Sequence, residues 1–129
     1  MLRRERRLSF RDFDRVYRNS RAICGDFVCL RALRREGKPE FLRLACVVGK
    51  KLARRACRRN RLRRRLYAAA AEALADERGL DLIIIAKRQP RNGEFVALRE
   101  DISGTFARLK EKIARAGDSA DGGKRRLGL

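Results

Sequence analysis

The residues with the most chemistry to offer crowd into one stretch. From Arg54 to Arg65 eight of twelve positions are Arg and none is acidic. Lys50 and Lys51 lead into the stretch, and a lone Asn60 sits inside it. A guanidinium is always charged, and its planar fork of donors matches phosphate oxygens two at a time. No Asp or Glu lies four residues away to form a salt-bridged helix face. The chemistry on offer is therefore the binding of a polyanion. The 129-residue chain carries 35 Lys and Arg against 16 Asp and Glu, a net charge of +19. Folding at that charge costs self-repulsion, which a polyanionic partner relieves. Nucleic acid is the first partner implied, and an anionic membrane surface the second. Asn60 is unhelpful to a helix. Its amide either reads a base edge or a ribose, or is neutral.

Residues for bond-breaking chemistry are missing. There is no His, which removes the usual general base and every Ser–His or Cys–His nucleophile. The acidic residues show no metal-site spacing. Cys24, Cys29, Cys46 and Cys57 lie 5, 17 and 11 residues apart, with no CxxC pair. They read as small apolar residues of a reducing cytoplasm, not as zinc ligands or disulfides. No catalytic residue and no metal ligand is therefore assigned. The apolar runs Leu66 to Ala71 and Leu82 to Ala86 fall far short of the roughly 18 residues that span a bilayer. The N-terminus MLRRERRLSF is basic, but no apolar stretch follows, so it does not read as a secretory signal.

These side chains need elements to hold them. Ser9, with Asp12 three residues on, predicts a helix over 9–19, with Phe10, Phe13 and Tyr17 on one face. Phe27 to Leu33 and Phe41 to Val48 read as strands. The seven-residue link RREGKPE suggests that they pair as an antiparallel hairpin. Leu80 to Lys87 is nearly all apolar, as a strand buried on both faces would be. Gln89 to Glu94 reads as a loop. Leu98, Ile102, Phe106, Leu109 and Ile113 define an amphipathic helix, and residues 117–129 a flexible polar tail. Residues 1–116 then form one domain.

Between Ala53 and about Arg78 no Gly or Pro occurs, and Ala, Leu and Arg dominate, so a long helix is expected. Leu62, Leu66, Ala69, Ala70 and Ala73 share a stripe that can face a core. The first turns are basic nearly all round and must project from it. The charge order is reversed, with Arg at the N-terminal end and Glu72, Asp76 and Glu77 at the other, against the helix dipole. A phosphate backbone at the basic end would repair this.

At this point the residues match a known family. Lys50-Lys51, Arg54-Arg55-Ala56 and Arg59-Asn60-Arg61-Leu62-Arg63-Arg64 resemble the protein component of bacterial ribonuclease P. That family's signature is a Lys pair followed by an Arg-Asn-Arg motif opening a basic helix. Arg7-Leu8 with Phe13, Val16 and Tyr17 looks like its N-terminal helix, Phe27-Val28 like its first strand, and Asp81 to Lys87 like the strand after the basic helix. The resemblance covers about residues 6–115. Two departures stand out: Tyr67 replaces an Arg common one turn after the motif, with Arg65 as its substitute, and Cys57 precedes the motif where members vary.

The resemblance implies an α/β (α+β) two-layer sandwich of order α-β-β-β-α-β-α with a left-handed βαβ crossover. It implies the protein subunit of an endoribonuclease whose catalyst is RNA, removing the 5′ leader of precursor tRNA in the cytoplasm. Catalytic-RNA binding is expected at Lys50, Lys51, Arg54, Arg55, Arg58, Arg59, Asn60, Arg61, Arg63, Arg64 and Arg65. Leader binding is expected at Phe13, Tyr17, Phe27 and Val28. Mg²⁺ is expected in the holoenzyme, without a ligand on the protein. The partners are the catalytic RNA and precursor tRNA, with one monomer per RNA and no membrane. The alternative is a ribosome-associated basic RNA-binding protein. A leucine-zipper-type DNA binder fails because Ala68 to Ala71, not leucine heptads, follows the basic run. A self-sufficient nuclease lacks its ligand cluster.

Overall fold

The computed structural model describes residues 7–34, 42–90 and 95–120, the last five as backbone only. The elements are α1 (Phe10–Arg18), β1 (Ile23–Cys24), β2 (Val28–Arg34), β3 (Arg43–Val47), α2 (Ala56–Ala73), β4 (Leu80–Ala86) and α3 (Phe95–Ala120). This is the order α-β-β-β-α-β-α. The third strand of the first half is the two-residue β1, too short to leave a pattern in the sequence.

α1 begins where the sequence places it. The Ser9 hydroxyl accepts the Asp12 N–H at 3.2 Å and donates to the Asp12 carboxylate at 3.0 Å, satisfying one orphan donor of the first turn. Asn19 closes the helix, its side chain donating to the Arg15 carbonyl at 2.8 Å. After α2, Gly79 takes φ 77°, a left-handed conformation that glycine adopts without steric cost, and the chain enters β4.

The four strands lie in the order β1-β2-β4-β3. β4 is antiparallel to β2 and parallel to β3, so β3-α2-β4 is a crossover unit. The expected hairpin between 27–33 and 41–48 does not form, because β4 lies between the two strands. The reason is in β4 itself. LDLIIIA buries five successive residues from Leu80 to Ile84, and a strand apolar on both faces belongs at the centre of a sheet. The linking turn falls largely in residues 35–41, outside the described residues, as do residues 91–94 of the expected 89–94 loop.

Strand alternation divides the molecule. Val28, Leu30, Ala32, Leu44, Cys46, Leu82 and Ile84 point to one face. There they join Leu62, Leu66, Ala69 and Ala70 of α2 and Leu98, Ile102, Phe106 and Leu109 of α3 in one cluster. This is the two-layer core. α1 lies over part of the opposite face, where Val16 and Ile83 are fully buried outside that cluster.

Two further expectations change. Cys24 and Cys29, read as reduced, are Cα partners across β1 and β2, and their sulfurs are joined as a disulfide. Directly opposed positions on antiparallel strands are close enough to bond, and β1 is the element the sequence pattern lacked. Cys46 and Cys57 are free. α3 also runs on to Ala120, four residues into the segment expected as a tail, since extending an existing helix adds a bond for each residue fixed. Residues 121–129 lie outside the described residues.

Candidate RNA-binding surfaces

The basic helix behaves as its pattern requires. Leu62, Leu66, Ala69 and Ala70 are its buried residues. Lys50, Lys51, Arg54, Arg55, Arg58, Asn60, Arg61 and Arg64 are exposed, and Arg59, Arg63 and Arg65 are partly buried. The N-cap, Arg55, makes no side-chain cap, and the first turn holds no acidic residue. The positive end of the helix dipole is thus left to cations alone. Arg59 curls back to the carbonyls of Ala53 (3.1 Å) and Arg54 (2.7 Å). Arg63 donates to the Asn60 side-chain oxygen at 2.6 Å, so Asn60 holds an arginine in place.

The parallel pairing of β3 and β4 sends both strands to the same end of the sheet. Lys50-Lys51 follow one and Lys87-Arg88 the other. The Gln89 side chain donates to the Leu52 carbonyl at 3.3 Å, tying the two segments together beside the start of α2. Lys87 and Arg88 themselves reach the other way, to the carbonyls of Gly25 (2.9 Å) and Asp26 (3.2 Å).

Tyr67 has a structural role. β3 is an edge strand, and its Cys46 N–H donates to the Tyr67 hydroxyl at 3.2 Å. Further along, the Leu44 carbonyl accepts the Leu8 N–H at 3.0 Å. Together these satisfy edge groups that would otherwise be open. Burial pushes the Tyr67 phenol up from its ordinary value. Burial also pushes the Cys46 thiol strongly up.

The second surface is on the other face. Phe13 and Tyr17 stack with centroids 6.1 Å apart and planes within 6°. The Arg31 guanidinium lies 4.5 Å over the Tyr17 ring and donates to the carbonyls of Tyr17 (3.3 Å) and Ser20. Tyr17 keeps 48% of its surface. α1 is clamped across the sheet by Asp81, whose fully buried carboxylate accepts from Arg15 at 2.5 Å and from Arg43 at 2.9 and 2.8 Å. Asp12 adds a 3.0 Å ion pair to Arg43. Hydrogen bonding to Asp81 raises the Arg43 pKa further above its ordinary value. Past this clamp, Cys29, Ile85 and Val47 stand in register across three strands and are only half buried. They form a floor beside the α1 rings.

The structure brings Phe13 and Tyr17 together. Phe27 is half buried and packed against the helical core, with no ring contact to that pair among the described residues. Val28 is fully buried in the same core; its side chain is enclosed and it presents no surface. Sequence reasoning missed Arg31, Asp81 and Asp101. The Asp101 carboxylate, from α3, accepts the N–H groups of Asp26 (2.9 Å), Phe27 (2.8 Å) and Val28 (3.1 Å). A Cβ on Gly25 would sit 2.5 Å from that carboxylate, so glycine is required by close approach. The available signals were a cation inside FVCLRAL and acids interrupting two apolar patterns.

Comparison with known proteins agrees with this architecture. Residues 1–110 match the family model described as Ribonuclease P. The chain belongs to the ribonuclease P protein family. It is a protein subunit of that tRNA-processing ribonuclease, a partner of ribonuclease P RNA and precursor tRNA. The fold is similar to the Staphylococcus aureus RNase P protein at 19% identity, covering 81% of this chain and 95% of that one, TM-score 0.69. It is also similar to the RNase P protein from Thermotoga maritima at 21% identity, covering 79% and 96%, TM-score 0.67. Among curated proteins nothing matches. No described helix is long and apolar enough to cross a membrane.

Proposed function

We propose that this subunit binds RNA on two separate faces while the RNA partner performs the hydrolysis. The basic end of α2, with Lys50 and Lys51, binds the catalytic RNA. The α1 face, with Phe13, Tyr17 and Arg31, binds the single-stranded 5′ leader of precursor tRNA. The observation that carries this reading is the division of labour between the faces of the sheet. One presents phosphate-binding cations; the other presents aromatic rings beside a cation, the combination suited to unpaired bases. Stacking on rings tolerates any base, which fits a leader of variable sequence. Phe27, half buried and packed against the helical core, stands apart from Phe13 and Tyr17.

The protein's role in the reaction is positioning. Holding the leader by its bases and the catalytic RNA by its phosphates places the scissile phosphodiester against the RNA active centre. Magnesium belongs to the RNA in this reading. Among the described residues no group of three or more His, Cys, Asp or Glu is placed to hold an ion. One monomer acts with one RNA in the cytoplasm.

The test is reconstitution with the catalytic RNA at low magnesium, comparing precursor and mature tRNA. Tyr17→Ala should weaken binding of precursor tRNA by about tenfold, as loss of one stacked base predicts. Binding of mature tRNA, which has no leader, and of the catalytic RNA should not change. Equal weakening of precursor and mature tRNA would remove the leader assignment.

A further inference from the structure

Phe10 is a large apolar side chain with 88% of its surface exposed, at the first position of α1. It has no part in the fold. The N-terminal cap uses Ser9 and Asp12, and the inward contact of α1 is Val16. A single exposed apolar residue is ordinary. Phe10, however, continues an existing stripe. At 3.6 residues per turn it lies about 20° from Tyr17 and about 60° from Phe13 around the helix. Along the axis it stands about 10 Å before Tyr17, at 1.5 Å per residue. That is close to three stacked steps of a nucleic-acid strand, at about 3.4 Å each.

The charge around Phe10 suits the same ligand. Arg11 follows it directly and is exposed. The acidic side chain nearest around the helix, Asp14, is paired with Arg18 at 3.0 Å. Asp12 lies on the opposite side of the helix, paired with Arg43.

We infer that Phe10 is a further base-stacking position, extending the leader surface by one contact beyond Phe13 and Tyr17. The inference rests on the leader assignment above. The occupant is an unpaired leader nucleotide about three stacked steps from the one on Tyr17. This chain would then distinguish long from short leaders, because only a leader that reaches along α1 gains the extra contact.

The experiment uses the reconstituted holoenzyme and precursor tRNAs whose leaders are shortened one nucleotide at a time. Wild type, Phe10→Ala, Phe10→Trp and Tyr17→Ala are compared by equilibrium binding. Phe10→Ala should lose about fivefold in affinity with long leaders, the low end of what one stacked base contributes, and nothing with the shortest. Phe10→Trp should retain the wild-type dependence on length. The Tyr17→Ala and Phe10→Ala losses should begin at different leader lengths. If Phe10→Ala matches wild type at every length while Tyr17→Ala shows its leader-specific loss, the Phe10 assignment falls and the leader surface stands. If Tyr17→Ala shows no leader-specific loss, both fall. An equal Phe10→Ala loss on mature tRNA would place Phe10 against another part of the RNA and overturn the inference.

Discussion

Asn60 looked equally able to read RNA or do nothing. The structure gives its oxygen to Arg63, which predicts a graded outcome. Arg59→Ala and Arg63→Ala should weaken binding to the catalytic RNA and lower its salt slope by about 0.7–0.9 per lost phosphate contact. Asn60→Ala should weaken binding less and leave the slope unchanged, because it releases an arginine without removing a charge. The folded state should survive all three, which a thermal melt alongside a salt titration would check. Cys46 makes a different prediction. Its thiol is buried, and its folded pKa is raised well above the ordinary 9.0. Above pH 9 the unfolded thiol ionises while the folded one keeps its proton. Stability from this group is therefore complete below pH 9 and falls as pH rises, by about 1.4 kcal/mol per pH unit at most. Tyr67, also raised by burial, adds to the loss above its ordinary 10.0. Cys46→Ala should flatten the alkaline slope measured by denaturant unfolding between pH 9 and 10; an unchanged slope would show that the thiol is not enclosed.

The placement of α1 depends on a buried carboxylate. Asp81 receives two guanidiniums from different elements, and removing it leaves both without their shared partner. Losing one member of a buried pair costs about 3–5 kcal/mol. Arg15 keeps 40% and Arg43 23% of their side-chain surface, so water relieves part of the loss. Asp81→Ala is accordingly expected to cost about 2–3 kcal/mol, and Asp81→Asn less, by denaturant midpoint. Leader-dependent binding should decline before binding to the catalytic RNA, since the α2 surface is anchored on the other face of the sheet. A basic surface that failed first would contradict that separation.

For the molecule as a whole, a charge of +19 favours gathering RNA, and the proposed reading leaves the cleavage to the RNA partner. Purified, RNA-free protein incubated with precursor tRNA and Mg²⁺ should produce no specific 5′ cleavage. Added catalytic RNA should restore it. Specific cleavage by the protein alone would overturn the assignment of catalysis to RNA.

What the chain reveals unaided lies within single elements. Ser9 starts α1, Leu62 and Leu66 turn α2 toward the core, and β4 must be central. Each follows from spacing over a few residues, where backbone geometry alone decides which side chains share a face. The arginine run pointed to a polyanion for the same reason: no local partner could neutralise it. What tertiary structure decided lies between elements. β4 separates β2 from β3, Cys24 meets Cys29 through a strand too short to leave a pattern, and Val28, adjacent to Phe27, turns into the core. Asp81 and Asp101 read as interruptions of apolar segments until the sheet brought Arg43, and the turn before β2 brought three N–H groups, within hydrogen-bond reach. A carboxylate's role depends on which donors surround it, and those donors come from residues 38 to 75 positions away, a distance no periodicity spans.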